Sequence, residues 1–155
     1  MSFVLPSLTI NARRIVHPTL LLRSSMSTGN LHVVSTPEAP AAIGPYSQAI
    51  KAGGFIFVSG CIPLVPSSME VVKGGIKEQT AQALANLRAI VTASGSEIDR
   101  VAKTTVFLQS MNDFADMNEV YAGFFGSHKP ARSAVEVARL PRDVLVEVEC
   151  IVLAP

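Results

Sequence analysis

KPARSAVEVARLPRDVLVEVEC, residues 129–150, sets eight charged side chains among neighbours that are mostly Val, Ala and Leu. The alternation in its second half bears most on the fold. Val144, Val146, Val148, Cys150 and Val152 occupy every second position, with Glu147 and Glu149 between them. Side chains point to opposite faces of a strand with period two, so this run predicts a strand with one core face and one polar face. The run before it has Val135 and Val137 on one side and Arg132 and Glu136 on the other. Joined as a β-hairpin, the two runs match faces when paired residue numbers sum to an odd value, as Ala138 opposite Leu145 does. That register sets Glu136 beside Glu147 and Ala134 beside Glu149, with Arg132 on the same face. Like charges directly opposite in a sheet are destabilising, so this face calls for water, a cation or another chain.

Upstream, the pattern alternates between strand and helix. LHVVS and FIFVSG read as strands, and Gly53-Gly54 supplies the positive φ of a tight hairpin turn. From Ile76, the positions Ile76, Ala83, Leu84, Leu87, Ile90 and Val91 trace one face of a helix of about five turns, stopped at Gly95. RVAKTTVFLQ reads as a strand. A second helix follows, with Asn112 or Asp113 as cap and Phe114, Met117, Tyr121, Phe124 and Phe125 on one stripe. Gly126 and Pro130 mark its end. Strands, helix, strand, helix and hairpin in that order predict an α+β domain with two helices on one face of the sheet and the charged residues on the other.

At 155 residues, 48% of them hydrophobic, the chain suits one domain with a proper core. Residues 1–37 hold Arg13, Arg14 and Arg23 and no acid; the rest carries ten basic against twelve acidic side chains, a net charge of −2. That balance, with no basic stripe, argues against a general nucleic-acid binder. The opening stretch 1–30 mixes Arg, Ser/Thr and short apolar runs without acids, the composition of a mitochondrial transit peptide ahead of a domain at 31–155. A tail that targets nothing is the alternative. Met26 offers an internal start for a cytosolic form. No stretch approaches the roughly 20 apolar residues of a membrane span. Cys61 and Cys150 are too few for a disulfide scaffold, and the scattered His17, His32 and His128 predict no metal site.

The candidate chemistry lies in short motifs. Arg132 follows Pro130-Ala131, which restrict the backbone beside it, and a guanidinium held there can grip a carboxylate through two parallel hydrogen bonds. Glu147, flanked by valines, can position a water or take a proton if its surroundings raise its pKa. Tyr46 stands in the GPYSQA loop, Ser59 and Gly60 close a strand end where a ligand can approach the backbone, and Asn118 lies in the second helix. Each of these also has an ordinary reading as a turn, a solvated charge or a surface amide.

APAAIGPYSQAI, FVSG, KTTVFLQSMNDFADMNEVYAGFF and PARSAVEVARLPRDVLVEVE, in this order from about Val33 to the C-terminus, closely resemble the Rid (YjgF-type) reactive-intermediate deaminases. The resemblance implies a chorismate-mutase-like fold and a homotrimer whose sheets line a barrel, with ligand sites between subunits. It implies hydrolysis of 2-imino acids such as 2-aminoacrylate/2-iminopropanoate and 2-iminobutanoate, with no metal or cofactor, protecting pyridoxal-phosphate enzymes in the mitochondrial matrix. Arg132 is similar to the arginine that grips the substrate carboxylate, and Glu147 to the acid that activates water. Tyr46, Ser59, Gly60 and Asn118 correspond to pocket-lining positions. Ala134 stands where many members have Cys, Cys61 where Gln is common, and Lys129 where an aromatic precedes PARS. Two other functions stay open at this point: a ribonuclease that inhibits translation, and a non-catalytic trimer that binds small carboxylates.

Overall fold

Gly53 and Gly54, at φ 57° and 82°, turn strand β2 (Ala49–Ala52) directly into β3 (Phe55–Cys61), the conformation that paired glycines adopt at no steric cost. The computed structural model describes residues 31–155; the expected targeting segment and the start at Met26 lie outside the described residues. Strands β1 (His32–Val34), β4 (Val101–Leu108), β5 (Ala131–Glu136) and β6 (Val146–Leu153) complete one six-stranded sheet, in the order β1-β2-β3-β6-β4-β5. All neighbours are antiparallel except β4 and β5, which run parallel.

Helix α1 (Ile76–Ala93) buries Ile76, Ala83, Leu84, Leu87, Ile90 and Val91, as the spacing predicts, against β3, β6 and the second helix. Glu78 reaches back to the Gly75 N–H at its first turn, and Gly95 at φ 75° ends it. Helix α2 (Phe114–Phe125) buries Met117, Tyr121 and Phe125. Its start differs in detail from expectation: Asp113 occupies the cap position without a side-chain bond, and Ser110 Oγ instead accepts from Asn112 N–H at 3.2 Å, capping a short 3-10 turn that leads in. Both helices cover one face of an α+β sheet.

The C-terminal hairpin does not form. β4 lies between β5 and β6, bonded to both, so the pairs Ala138–Leu145, Glu136–Glu147 and Ala134–Glu149 are absent. The connection from β5 to β6 lacks tight-turn chemistry. It is held as a wide bend by a 3-10 turn at Pro141–Asp143, by burial of Leu140 and Val144 beside Ile62 and Leu64, and by a two-bond Arg139–Asp143 pair. β5 instead returns through α2 to lie parallel to β4, because a parallel pair needs a crossover of a dozen or more residues and a helix provides it.

This change of neighbour also corrects the faces. Under the helices runs the row Val34–Ala49–Val58–Cys150–Thr104–Arg132, one residue from each strand. The opposite, open face carries Val33–Ile50–Phe57–Ile151–Lys103–Ala131. Glu147 and Glu149 pair with Phe107 and Thr105 on that open face, whereas Arg132 and Glu136 belong to the helix side. In β5 it is Val135, 43% exposed, that faces outward. Replacing fully buried Leu87 with Ala is expected to lower unfolding free energy by about 2–5 kcal/mol through lost burial and a cavity; a shift in the urea midpoint at constant slope checks this.

Candidate functional site

Between the pairs Val58–Cys150 and Cys61–Val148, β3 has two residues, Ser59 and Gly60, where β6 has only Glu149. This β-bulge shifts the parity of β3, so Val58 and Cys61 are both buried although they stand three apart. The bulge is fastened to the entry of β2: Ser59 N–H donates to Gln48 O at 3.0 Å and Ser59 Oγ to Ser47 O at 2.6 Å. Gly60 is required here by close approach. A Cβ on it would overlap the Glu147 carboxyl group, 2.7 Å from its Cδ. The carboxylate therefore rests over bare backbone, and burial, then the neighbouring Glu149 charge, raises its pKa above the ordinary glutamate range.

Tyr46 enters the same neighbourhood on the loop that precedes β2, lining a small cleft with Ser59, Gly60 and Cys61. Its hydroxyl accepts from Ile43 N–H at 3.3 Å. Gln48 holds this loop in place, accepting from Thr36 N–H at 2.7 Å and donating to the carbonyls of Pro40, at 2.7 Å, and Thr36, at 3.1 Å. The Cys61 thiol is pushed up to about 12 by burial and by the Glu147 carboxylate, which keeps it protonated and unreactive.

A second cleft, of about 380 Å³, opens beside α2 and β5 and contains Asn118, Tyr121, His128, Lys129 and Arg132. The Arg132 guanidinium lies over the Tyr121 ring, 4.5 Å from its centroid, and 5.6 Å from that of Phe114. Tyr121 is itself fixed by a 2.6 Å hydrogen bond between its hydroxyl and Thr104 Oγ1, and Thr104 is the cross-strand neighbour of Arg132. Arg132 Nη1 is buried and has no hydrogen-bond partner. Buried guanidinium N–H groups are ordinarily paired, so this atom presents an unused donor on a pre-oriented cation.

The described residues match the Endoribonuclease L-PSP family over residues 36–154. The chain belongs to that family, which includes the YjgF and Rid proteins. A RutC family protein of Pyrococcus horikoshii is 60% identical over 119 residues, covering 77% of this chain and 94% of the relative. The 2-iminobutanoate/2-iminopropanoate deaminase of mouse is 50% identical, covering 77% and 88%. Among solved structures, E. coli TdcF with bound serine superposes with a TM-score of 0.76 at 42% identity, covering 80% of this chain and 99% of that one. Relatives named as deaminases support a deaminase activity for this family member as well.

In this L-PSP-family protein the sequence-predicted residues divide into two groups. Tyr46, Ser59, Gly60 and Glu147 gather around the β3 bulge, and Asn118 and Arg132 share the α2–β5 cleft. The two groups do not meet within one chain: β4 lies between β6 and β5, which sets them two strand spacings, about 10 Å, apart, and Glu147 and Arg132 project from opposite faces. Tyr121 and Gln48 were not singled out by sequence reasoning as site residues. Tyr121 reads as one member of an apolar helix stripe, and only its Thr104 bond and the stacked guanidinium give it a part in the site. Gln48 does carry a local signal, a buried amide at a strand start, since such a group must spend its hydrogen bonds on the chain nearby.

The raised Glu147 pKa fixes a sign. The folded state holds this proton at a pH where the unfolded chain has released it, so the carboxylate's effect on stability is absent at acid pH and becomes unfavourable as pH rises through the folded value. Glu147→Gln is therefore expected to leave stability near pH 4 little changed and to raise it at pH 7.5, read as denaturation midpoints at the two pH values.

Proposed function

We propose that the protein is a homotrimeric deaminase that hydrolyses 2-imino acids, 2-iminopropanoate (the tautomer of 2-aminoacrylate) and 2-iminobutanoate, to 2-oxo acids and ammonia. The buried, unpartnered Nη1 of Arg132 carries this reading. A fixed planar cation with a free donor fits a small carboxylate, and the related E. coli structure with bound serine supports a ligand of that kind.

In the proposed reaction Arg132, braced on Tyr121, holds the carboxylate, and Asn118 lies within the same cleft to orient the imine nitrogen. Glu147, of raised pKa, accepts a proton from water as its oxygen bonds to the imine carbon. With the imine protonated at the outset, Glu147 returns this proton to the nitrogen of the resulting carbinolamine, then takes the hydroxyl proton as the C–N bond breaks, so that the 2-oxo acid forms and ammonia leaves, carrying the last proton away as ammonium. A carboxylate with pKa above its usual range suits this, because a more basic carboxylate takes up the water proton more readily and can then hand it on. The substrate is already electrophilic, so alignment of imine and water supplies most of what is needed.

Within one chain Arg132 and Glu147 cannot share a substrate, and this favours a site between copies. The open sheet face exposes Phe55, Phe57, Val135 and Leu153 at 39–46%, an apolar surface suited to a second copy of the same chain. β5, an edge strand, carries Arg132 at the border of the sheet, where the bulge half of a neighbouring copy can close over it. The reading includes protection of pyridoxal-phosphate enzymes from 2-aminoacrylate, in the mitochondrial matrix if the basic N-terminal stretch acts as a targeting segment. An RNA substrate is disfavoured by the net −2 charge of residues 38–155.

Coupled to a pyridoxal-phosphate dehydratase, the protein is expected to accelerate 2-oxo acid release, with Arg132→Ala lowering kcat/KM about 10²-fold, the loss of roughly two charged hydrogen bonds. Full activity in Arg132→Ala, or RNA cleavage that co-purifies and disappears in Glu147→Ala, would overturn the proposal. Phe57→Glu is expected to reduce the solution mass from three times 16.4 kDa towards one, with parallel loss of turnover, as light scattering and the same assay would register.

A further inference from the structure

The α2–β5 cleft carries more positive charge than one small carboxylate requires. Lys129 and Arg132 both line it, and no carboxylate among the described residues does. The two nearest acids on α2 are engaged elsewhere: Glu119 and Asp116 turn to Lys77 of α1, at 2.8 and 3.5 Å. Neither Lys129 nor Arg132 enters an ion pair among the described residues. Arg132 Nη1 is buried without a partner, so the cleft holds one unsatisfied cation at its base and a second, exposed one at its rim.

The spacing of the two cations matters. Pro130 disfavours helical backbone at Lys129 and so holds the segment extended. Three residues of extended chain span at most about 10 Å. Two side chains rooted that far apart and facing one cleft can bracket a four- or five-carbon chain bearing a carboxylate at each end. A monocarboxylate fills only the Arg132 end and leaves the lysine to solvent.

We propose that the preferred substrates of this site include 2-imino dicarboxylates, the imines of acidic amino acids, with Lys129 as the specificity-determining residue for the second carboxylate. This rests on the deaminase reading and deepens it. The chemistry is the same hydrolysis: water adds across C=N, ammonia leaves, and a 2-oxo dicarboxylate is formed, with no oxidant or other reactant needed. Lys129 touches the distal carboxylate only and takes no part in proton transfer.

The test uses the full chain and imines generated in situ from alanine and glutamate by amino-acid oxidases, with semicarbazide trapping of the remaining imine as the readout. The ratio of kcat/KM for 2-iminoglutarate to that for 2-iminopropanoate is expected to be one or more in the unaltered protein. Lys129→Met is expected to lower this ratio about tenfold, equal to about 1.4 kcal/mol, and Lys129→Arg to retain it. An unchanged ratio in Lys129→Met, or hydrolysis of 2-iminopropanoate without hydrolysis of 2-iminoglutarate, would overturn the inference while leaving the deaminase reading intact. If neither imine is hydrolysed, the deaminase reading fails, and calorimetry with the product acids decides the recognition itself. Tighter binding of 2-oxoglutarate than of 2-oxobutanoate, lost in Lys129→Met, supports it; equal affinities refute it.

Discussion

β6 is hydrogen-bonded along both edges, to β3 on one side and β4 on the other, and the rest of the molecule is arranged around that double pairing. A strand bonded on both edges must keep its side-chain register against two neighbours at once, so its alternation of Val and Cys with Glu propagates outward. Towards β3 the register is kept only by inserting an extra residue, and the bulge at Ser59–Gly60 is the result. Towards β4 it aligns Cys150 with Thr104, and the parallel β5 then aligns Thr104 with Arg132. Both halves of the site are thus set by one central strand, although only Glu147 belongs to it.

The bulge is a local departure from regular pairing with a chemical use. By removing a side chain at Gly60 and turning the strand, it leaves room for a carboxylate against backbone, in surroundings dry enough to raise its pKa. At the other end of the sheet the same kind of preparation is achieved by stacking: Thr104 fixes Tyr121, and Tyr121 fixes Arg132. In both places the ionisable group is held by neighbours that are themselves anchored, which is what catalytic precision demands of a supporting shell.

Local pattern made much of this legible in the sequence. The helix at Ile76–Ala93 follows from its apolar spacing, the β2–β3 turn from two glycines, and the buried face of β6 from strict alternation. What could not be read was adjacency. Alternation says which residues of a strand share a face, but not which strand lies beside it, and the nearness of β5 and β6 in the chain suggests one shared face for their charged residues. The intervening β4 reverses that assignment for Arg132. The apolar character of Val135 points to the core for a related reason: on an edge strand an outward valine marks a surface that another chain can cover, whereas the inward position is taken by an arginine stacked on an aromatic ring with one donor left unpaired. The bulge was likewise invisible, since it arises from fitting β3 to a partner more than eighty residues away in the chain. Motif resemblance points to Arg132 and Glu147 as candidate positions but does not reveal that they lie in different halves of the candidate site.

The opposition of Arg132 and Glu147 across the sheet has a consequence for the isolated chain. A mobile cation and a carboxylate on one surface tend to find each other, and a group so neutralised is a poor partner for anything else. Here the thickness of a β-sheet acts as insulation. Neither residue can quench the other within the folded chain, so each keeps its charge for whatever comes to its own face.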